Sequence, residues 1–265
     1  MLKKVLLCPP KYFTVKYEIN PWMDIANKVD QQKVNEEYQE LKKTYFDLGL
    51  EVLEIEQDKN LPDMVYAANF GFPENNIFIK ANFKFDERKK EAELAKKYFI
   101  QLGFTVKELP ANIDWEGQGD LLKIGNKYFI GWGERSDLEA KKYLTEFLNS
   151  EIIDLKLIDP YYYHIDTCFL PLDAQTVAIN PHAFEQTDLE KIAKYFKTVI
   201  KVSKEDSQLL ACNAVVIDRT IVIGKGISKS LKADFMKAGF TTKEVAMDEY
   251  RKGGGSVKCL TLAFY

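Results

Sequence analysis

Reactive side chains are scarce in this chain. It has two histidines, His164 and His182, and four cysteines with no CxxC spacing among 265 residues. Two histidines 18 positions apart and scattered cysteines make no zinc pattern, so neither a metal nor another cofactor is expected. The same cysteine usage fits reduced thiols in the cytoplasm rather than a disulfide framework. No apolar run approaches the ~18 residues that a membrane helix needs. The start, Met1-Leu2-Lys3-Lys4-Val5-Leu6-Leu7-Cys8, is too briefly apolar for a signal peptide and reads as a buried strand. Basic blocks are missing too. Lysine and arginine total 37 against 40 acidic residues, a net charge of −3, which excludes the clustered positive footprint of a nucleic-acid binder. The charge-rich stretch Glu87-Arg88-Lys89-Lys90-Glu91 alternates in sign and reads as a solvated helix face.

What is present is a globular composition, 46% hydrophobic and 29% charged, arranged as a recurring ββαβ unit. One unit has strands over Asp63 to Ala68 and Asn76 to Lys80 around a turn at Gly71-Phe72-Pro73-Glu74-Asn75. Its helix runs from about Glu87 to Leu102, with apolar residues at helical spacing, and its last strand is Thr105 to Leu109. The next has strands around Gly125-Asn126, a hairpin signal, then a helix capped by Ser136 and a strand at Ile152 to Leu157. Two more follow, with turns at Asp173-Ala174-Gln175 and Asp218-Arg219. The remaining copy is split: Val257 to Phe264 and Lys4 to Cys8 supply strands, completed by a helix from about Lys33 and a strand at Val52 to Ile55. Equivalent positions Asp63, Asp120, Asp166, Asn213 and Val257 recur at 57, 46, 47 and 44 residues. Five units that cannot bury their apolar faces alone predict a closed ring, a five-bladed α/β propeller. It would be a single domain over residues 1–265, with its first blade formed from both termini. The alternative is an ordinary α/β sandwich with coincidental spacing.

The polar residues that stand out fall just before, or at the start of, the first strand of a unit: Asp63, Glu116 with Asp120, His164 with Asp166, and Cys259. In a ring such positions converge on the axis. There a cysteine thiolate is a nucleophile, a histidine can move a proton to a leaving group and take one from water, and a glutamate can orient that imidazole. Extra carboxylates accept paired N–H bonds from a planar guanidinium, so the expected substrate is planar and cationic. Asp120 could equally support the Gly-rich loop Gly117-Gln118-Gly119. The tail Gly253-Gly254-Gly255 can turn tightly and let a ligand come close to Cys259. Trp22 and Tyr161-Tyr162-Tyr163 fit core, pocket wall or substrate contact alike.

Several stretches resemble the guanidine-modifying (amidinotransferase, or pentein) superfamily: Cys8-Pro9-Pro10, Ile19-Asn20-Pro21-Trp22-Met23, Pro62-Asp63-Met64-Val65-Tyr66-Ala67-Ala68-Asn69, Glu116-Gly117-Gln118-Gly119-Asp120, Tyr163-His164-Ile165-Asp166 and Gly254-Gly255-Ser256-Val257-Lys258-Cys259. Within it the chain is most similar to the arginine dihydrolase catalytic domain, with dimethylarginine dimethylaminohydrolases and arginine deiminases as relatives. The resemblance implies a five-bladed propeller with Cys259 as nucleophile, His164 as acid/base and Glu116 as its partner. It implies that Asp63 and Asp166 grip the guanidinium, that Asn20 and Asn69 contact substrate, and that Arg135 binds its carboxylate. It implies that Asn69 takes arginine past citrulline to ornithine. The reaction implied is hydrolysis at the guanidinium carbon of arginine or a derivative through an amidino-cysteine, with dimethylarginine hydrolysis or amidino transfer as alternatives. One departure stands out. A second carboxylate-binding arginine is expected just after the second strand of the Asp63 unit, where this chain has Lys80-Ala81-Asn82-Phe83-Lys84. A small-molecule guanidine is the only partner implied, and self-association is left open.

Overall fold

The computed structural model describes residues 2–265. Its strands are short, and the described residues pair into five separate three-stranded sheets in a mixed α/β fold. The first sheet joins both ends of the chain. β1 (Lys4–Leu7) is followed by α1 (Gln31–Asp47) and β2 (Glu51–Glu54), which returns parallel to β1. The carboxy-terminal β15 (Leu262–Ala263) pairs antiparallel on the other side of β1.

The other four sheets share one plan: a hairpin, a helix, then a strand parallel to the hairpin's second strand. They are β3 (Gly71–Glu74), β4 (Ile77–Lys80), α2 (Asp86–Gln101) and β5 (Thr105–Lys107); β6 (Leu121–Ile124), β7 (Lys127–Trp132), α3 (Ala140–Leu148) and β8 (Ile152–Lys156); β9 (Phe169–Pro171), β10 (Thr176–Ile179), α4 (Gln186–Tyr195) and β11 (Thr198–Lys201); and, after the short α5 (Lys204–Gln208), β12 (Val215–Ile217), β13 (Thr220–Gly224), α6 (Lys229–Lys237) and β14 (Thr241–Val245). Parallel pairing needs a crossover, and in each unit the helix supplies it. Each helix lays an apolar stripe on its sheet. In α2, Phe99 stacks on Phe78 of β4 with ring centroids 3.9 Å apart, and both are fully buried. Burial of one such side chain contributes on the order of 1.5–3 kcal/mol.

Four expectations are corrected. Gly71 to Glu74 is a strand, not a turn, and the hairpin turns at Asn75-Asn76. Both asparagines have positive φ, 47° and 64°, as a two-residue hairpin turn demands. Pro73 is tolerated because β3 is an edge strand, where a missing N–H breaks no ladder. Residues 62–65 and 67–70, expected as a strand, curl into 3-10 turns. Only Leu262–Ala263 of the expected final strand pairs, so Cys259 lies on a turn closed by Leu260 N–H to Ser256 O. Ser136 does not cap α3, which begins at Ala140, because its hydroxyl is held elsewhere. α5 and α7 (Asp248–Arg251) were not anticipated; five and four residues are too few to show periodicity.

Candidate functional site

The first strands of the middle sheets are entered through tight 3-10 turns, Pro62–Val65 with Ala67–Phe70, Gly117–Gly119 and Ile165–Thr167. These turns carry or adjoin Asp63, Asn69, Glu116, Asp120, His164 and Asp166, all of them buried; Cys259 and Arg135, on other segments, are buried as well, and Asn20 is half-buried. They contact one another across long stretches of sequence.

The nucleophile candidate comes first. Cys259 is 2% exposed, and its Sγ donates toward Asp166 Oδ2 at 3.4 Å. Asn213 clamps the same residue: its Nδ2 donates to Sγ at 3.0 Å, while its Oδ1 accepts from the N–H groups of Ser256 and Cys259, both at 3.0 Å. Burial and the Asp166 charge push the thiol well above its usual range, against opposing pulls from Asn213 and Lys258. Burial also pushes Asp166 up, to about 7, with Lys258 opposing. Lys258 is itself pulled down to about 8 by burial; its Nζ donates to Gln118 Oε1 at 3.0 Å and Thr261 O at 3.1 Å.

Two residues before Asp166 stands His164, 1% exposed, with Nε2 2.8 Å from Glu116 Oε2. Burial disfavours charge on both groups. It takes His164 down to about 4 despite Glu116. For Glu116 the nearby Arg135 and His164 overcome burial and hold the carboxyl at about 2. At neutral pH the pair is therefore a neutral imidazole on a carboxylate, ready to accept a proton. Arg135 donates Nη1 to Glu116 Oε2 at 2.9 Å and Nη2 to Ile19 O at 2.8 Å, with its guanidinium over the Phe85 and Tyr163 rings.

Asp120 accepts from Ile165 N–H at 3.1 Å and from Ser136 Oγ at 2.6 Å, so it supports the His164 turn, and burial keeps its pKa well above the usual carboxylate value. Asp63 is different. Its Oδ2 is buried and has no hydrogen-bond partner among the described residues. Burial raises its pKa while Arg88 opposes. Asn20 is less buried; it donates Nδ2 to Gly253 O at 3.2 Å and thereby ties the 11–29 loop to the Gly-rich segment. What comes close to that segment is protein. A Cβ on Gly254, which has φ +89°, would lie 2.8 Å from Tyr163 Oη and from Asn20 Oδ1, and one on Gly255 2.4 Å from the Tyr66 ring.

One reading is overturned. Arg88 and Glu91 do not lie on a solvated face: they are 3% and 0% exposed and form a buried ion pair at 2.7 Å. Arg88 also donates to Asn69 Oδ1 at 3.0 Å, so a second arginine does stand at the hub, beyond the window where it was sought. Lys80 is instead held by Glu93 and Glu108, and Lys84 donates to Glu134 O. The missed signal was periodicity. Carried backwards, the stripe Phe99, Ala95, Ala92 lands on Arg88. Asn213 was equally legible, since it occupies the hub position of its unit in the repeat.

A thiol, an imidazole paired with a carboxylate and a buried carboxylate oxygen without a partner are the groups that thiol chemistry on a positively charged carbon centre would use. Comparison with known proteins narrows this class. Residues 9–265 match a family model described as N,N dimethylarginine dimethylhydrolase, eukaryotic, and the chain belongs to this family. The N(G),N(G)-dimethylarginine dimethylaminohydrolase of Mycobacterium tuberculosis is 37% identical over 99% of this chain and 86% of its own length. The bifunctional arginine dihydrolase/ornithine cyclodeaminase ArgZ of Synechocystis sp. is 36% identical over 98% of this chain, which spans 37% of that longer protein. A crystal structure of the N-terminal domain of ArgZ bound to product superimposes with a TM-score of 0.95 at 34% identity, covering 99% of this chain and 97% of that one. Among the described residues, no helix is long and apolar enough to cross a membrane.

Proposed function

We propose that this protein hydrolyses the guanidinium group of arginine, in the manner of an arginine dihydrolase, with Cys259 as nucleophile, His164 as acid/base and Glu116 as its partner. The five sheets are read as the blades of a propeller closing on that hub, one catalytic domain over residues 1–265 whose first blade comes from both termini. One observation carries the assignment. The turn that bears His164 on Glu116 also bears Asp166, whose carboxylate touches the Cys259 thiol at 3.4 Å.

The chemistry follows from the charges. A guanidinium seated against Asp63 and Asp166 compensates those carboxylates and lowers the thiol pKa. The thiol proton passes to His164, sulfur bonds to the guanidinium carbon, and the imidazolium returns the proton as ammonia leaves. Water then attacks the amidino-thioether, its proton going to His164, and the C–S bond breaks to release citrulline and restore the thiol. A second cycle on the ureido carbon gives ornithine, carbon dioxide and another ammonia. Asn69 is the residue assigned to that second cycle, and Asn20 to substrate contact. Arg135 is the carboxylate clamp, its Ile19 contact being the one a substrate carboxylate would replace. Asp120 is assigned to support rather than to substrate. The free thiols suit a cytoplasmic setting.

A second reading, dimethylarginine hydrolysis, is favoured by the matched family model. One experiment separates them: incubate the purified protein with arginine or with dimethylarginine and assay citrulline, ornithine, ammonia and dimethylamine. Ornithine with two ammonias per turnover supports the dihydrolase. Citrulline alone makes it a deiminase, and dimethylamine selects the second reading. Consumption of arginine only with an added amine acceptor, without net ammonia, makes it an amidinotransferase. No turnover of either substrate sinks the proposal.

A further inference from the structure

We propose that Glu91 is a positioning residue: acting through Arg88 it fixes the side-chain amide of Asn69, and that amide, working with Glu116 on the opposite side of the ring, sets which nitrogen of His164 carries the proton. The inference rests on the roles given above to His164 and Asn69 and extends them to two residues on α2.

Glu91 uses both carboxylate oxygens on Arg88, accepting from Nε at 3.2 Å on each oxygen and from Nη2 at 2.7 Å. The guanidinium is thereby locked. Its remaining donors reach Asp63 O at 3.2 Å, Tyr66 O at 3.5 Å and Asn69 Oδ1 at 3.0 Å, with the Phe83 ring 4.5 Å away. A guanidinium can only donate, so the amide atom facing it has to be oxygen. That choice turns Asn69 Nδ2 the other way, toward Glu116 O at 3.3 Å and His164 Nδ1 at 3.5 Å. An amide nitrogen also only donates, so it favours an unprotonated Nδ1. The ring proton then belongs on Nε2, where Glu116 Oε2 accepts it at 2.8 Å. Nδ1 is left as the lone pair that takes a proton during turnover. The backbone makes room for this contact: a Cβ on Gly119 would sit 2.3 Å from Asn69 Nδ2 and 2.9 Å from His164 Nδ1. Free rotation of the amide would present its oxygen to Nδ1, favour a proton there and remove the lone pair.

Nitrogen NMR of the imidazoles reads the tautomer directly, and with two histidines in the chain a His182→Gln variant assigns His164. In the unmutated protein the His164 Nδ1 signal should be that of an unprotonated nitrogen. In Glu91→Gln the Nδ1 and Nε2 signals should move toward each other as the second tautomer is populated. With substrate, kcat should fall on the order of 10-fold while KM changes less than about twofold. The double variant Asn69→Ala/Glu91→Gln should be no slower than Asn69→Ala alone, because both changes act through one amide. An unchanged tautomer in Glu91→Gln, or losses that add in the double variant, overturns the proposal. If Glu91→Gln does not fold, Arg88→Gln/Glu91→Gln removes both charges and leaves no unpaired one, and the same spectra decide. Should the unmutated protein turn over no guanidine, the functional reading fails by itself, and the NMR still tests the relay.

Discussion

The second and fifth units follow the same ββαβ plan, but they bury different things. In the fifth, α6 buries Leu231 and Phe235 against its sheet, and the turn before β12 contributes one neutral amide, Asn213, to the hub. In the second, α2 buries Arg88 and Glu91 beside Ala92, Ala95 and Phe99, and the preceding turns carry Asp63 and Asn69. Apolar spacing makes a unit. Departures from that spacing, charged or amide side chains turned inward, make the site. The fifth unit should therefore influence mainly stability, and the hub turns of the others mainly chemistry.

The strongest way to test this division is to remove the sulfur. Cys259→Ala should lower turnover of the guanidine substrate by at least about 10³-fold, with a circular dichroism spectrum and melting temperature close to those of the unmutated protein. Full activity in this variant would overturn the catalytic assignment. The mirror experiment is in α6. Phe235 is fully buried, and Phe235→Ala should cost about 3–5 kcal/mol in denaturant unfolding while leaving kcat per folded molecule unchanged. A large kcat loss at constant stability would show that the fifth unit is catalytic as well.

Asn213→Ala probes the boundary between the two roles. It frees the N–H groups of Ser256 and Cys259 and removes the donor to Sγ, so about 1–3 kcal/mol of stability should go. With the lowering contact gone, the thiol should titrate higher, which the pH dependence of iodoacetamide labelling would reveal. A pH profile of labelling that matches the unmutated protein would mean that Asn213 only shapes the backbone.

The plan of the fold was legible because it rests on local, repeated signals. Hairpin turns, helical stripes and the near-constant interval between hub positions can be read without knowing what touches what. The split first sheet followed from the count of units, since the strands near Lys4 and Val52 made a unit that lacked one strand, which the tail could supply. The first hub turn was misread as a strand because Asp63 to Ala68 is apolar enough to pass for one, and no short-range signal marks a 3-10 turn. Arg88 and Glu91 were hidden by their neighbours Glu87, Lys89 and Lys90, which are exposed or nearly so; alternation in sign describes that helix correctly except on its inner face. Ser136 looked like a cap because a serine before a helix usually is one. Its hydroxyl donates instead to Asp120 and accepts from Glu116 N–H, a long-range contact outside the reach of sequence pattern.

Titration sharpens the comparison more gently. His164 sits at about 4 in the folded protein against an ordinary 6.5, so its contribution to stability is fully present above 6.5 and is lost as pH falls toward 4. That shift corresponds to about 3 kcal/mol. Asp166 runs the other way: raised from 3.8 to about 7, it favours the fold below 3.8 and loses that contribution as pH rises to 7. The two partly cancel in the unmutated protein, so the informative quantity is a difference. The stability of the unmutated protein relative to His164→Gln should fall by about 3 kcal/mol between pH 7 and pH 4 in urea titrations. A difference that stays flat would mean that the folded imidazole titrates as it does in the unfolded chain.

The smallest effect belongs on the outside of the fifth unit. Lys232 pairs with Glu244 across α6 and β14, with a third and a quarter of their side chains exposed. Water screens such a pair and side-chain ordering offsets its attraction, so Lys232→Ala should change stability by less than about 1 kcal/mol and kcat not at all. The contrast with the ion pair in α2 is one of surroundings, since both join a helix cation to a glutamate. With no water to take over from the partner, a charge left alone beside Asn69 stays uncompensated; the Glu244 carboxylate left alone by loss of Lys232 is solvated. A loss above 2 kcal/mol in Lys232→Ala would therefore break the separation between an outer scaffold held by apolar contacts and a hub held by polar ones.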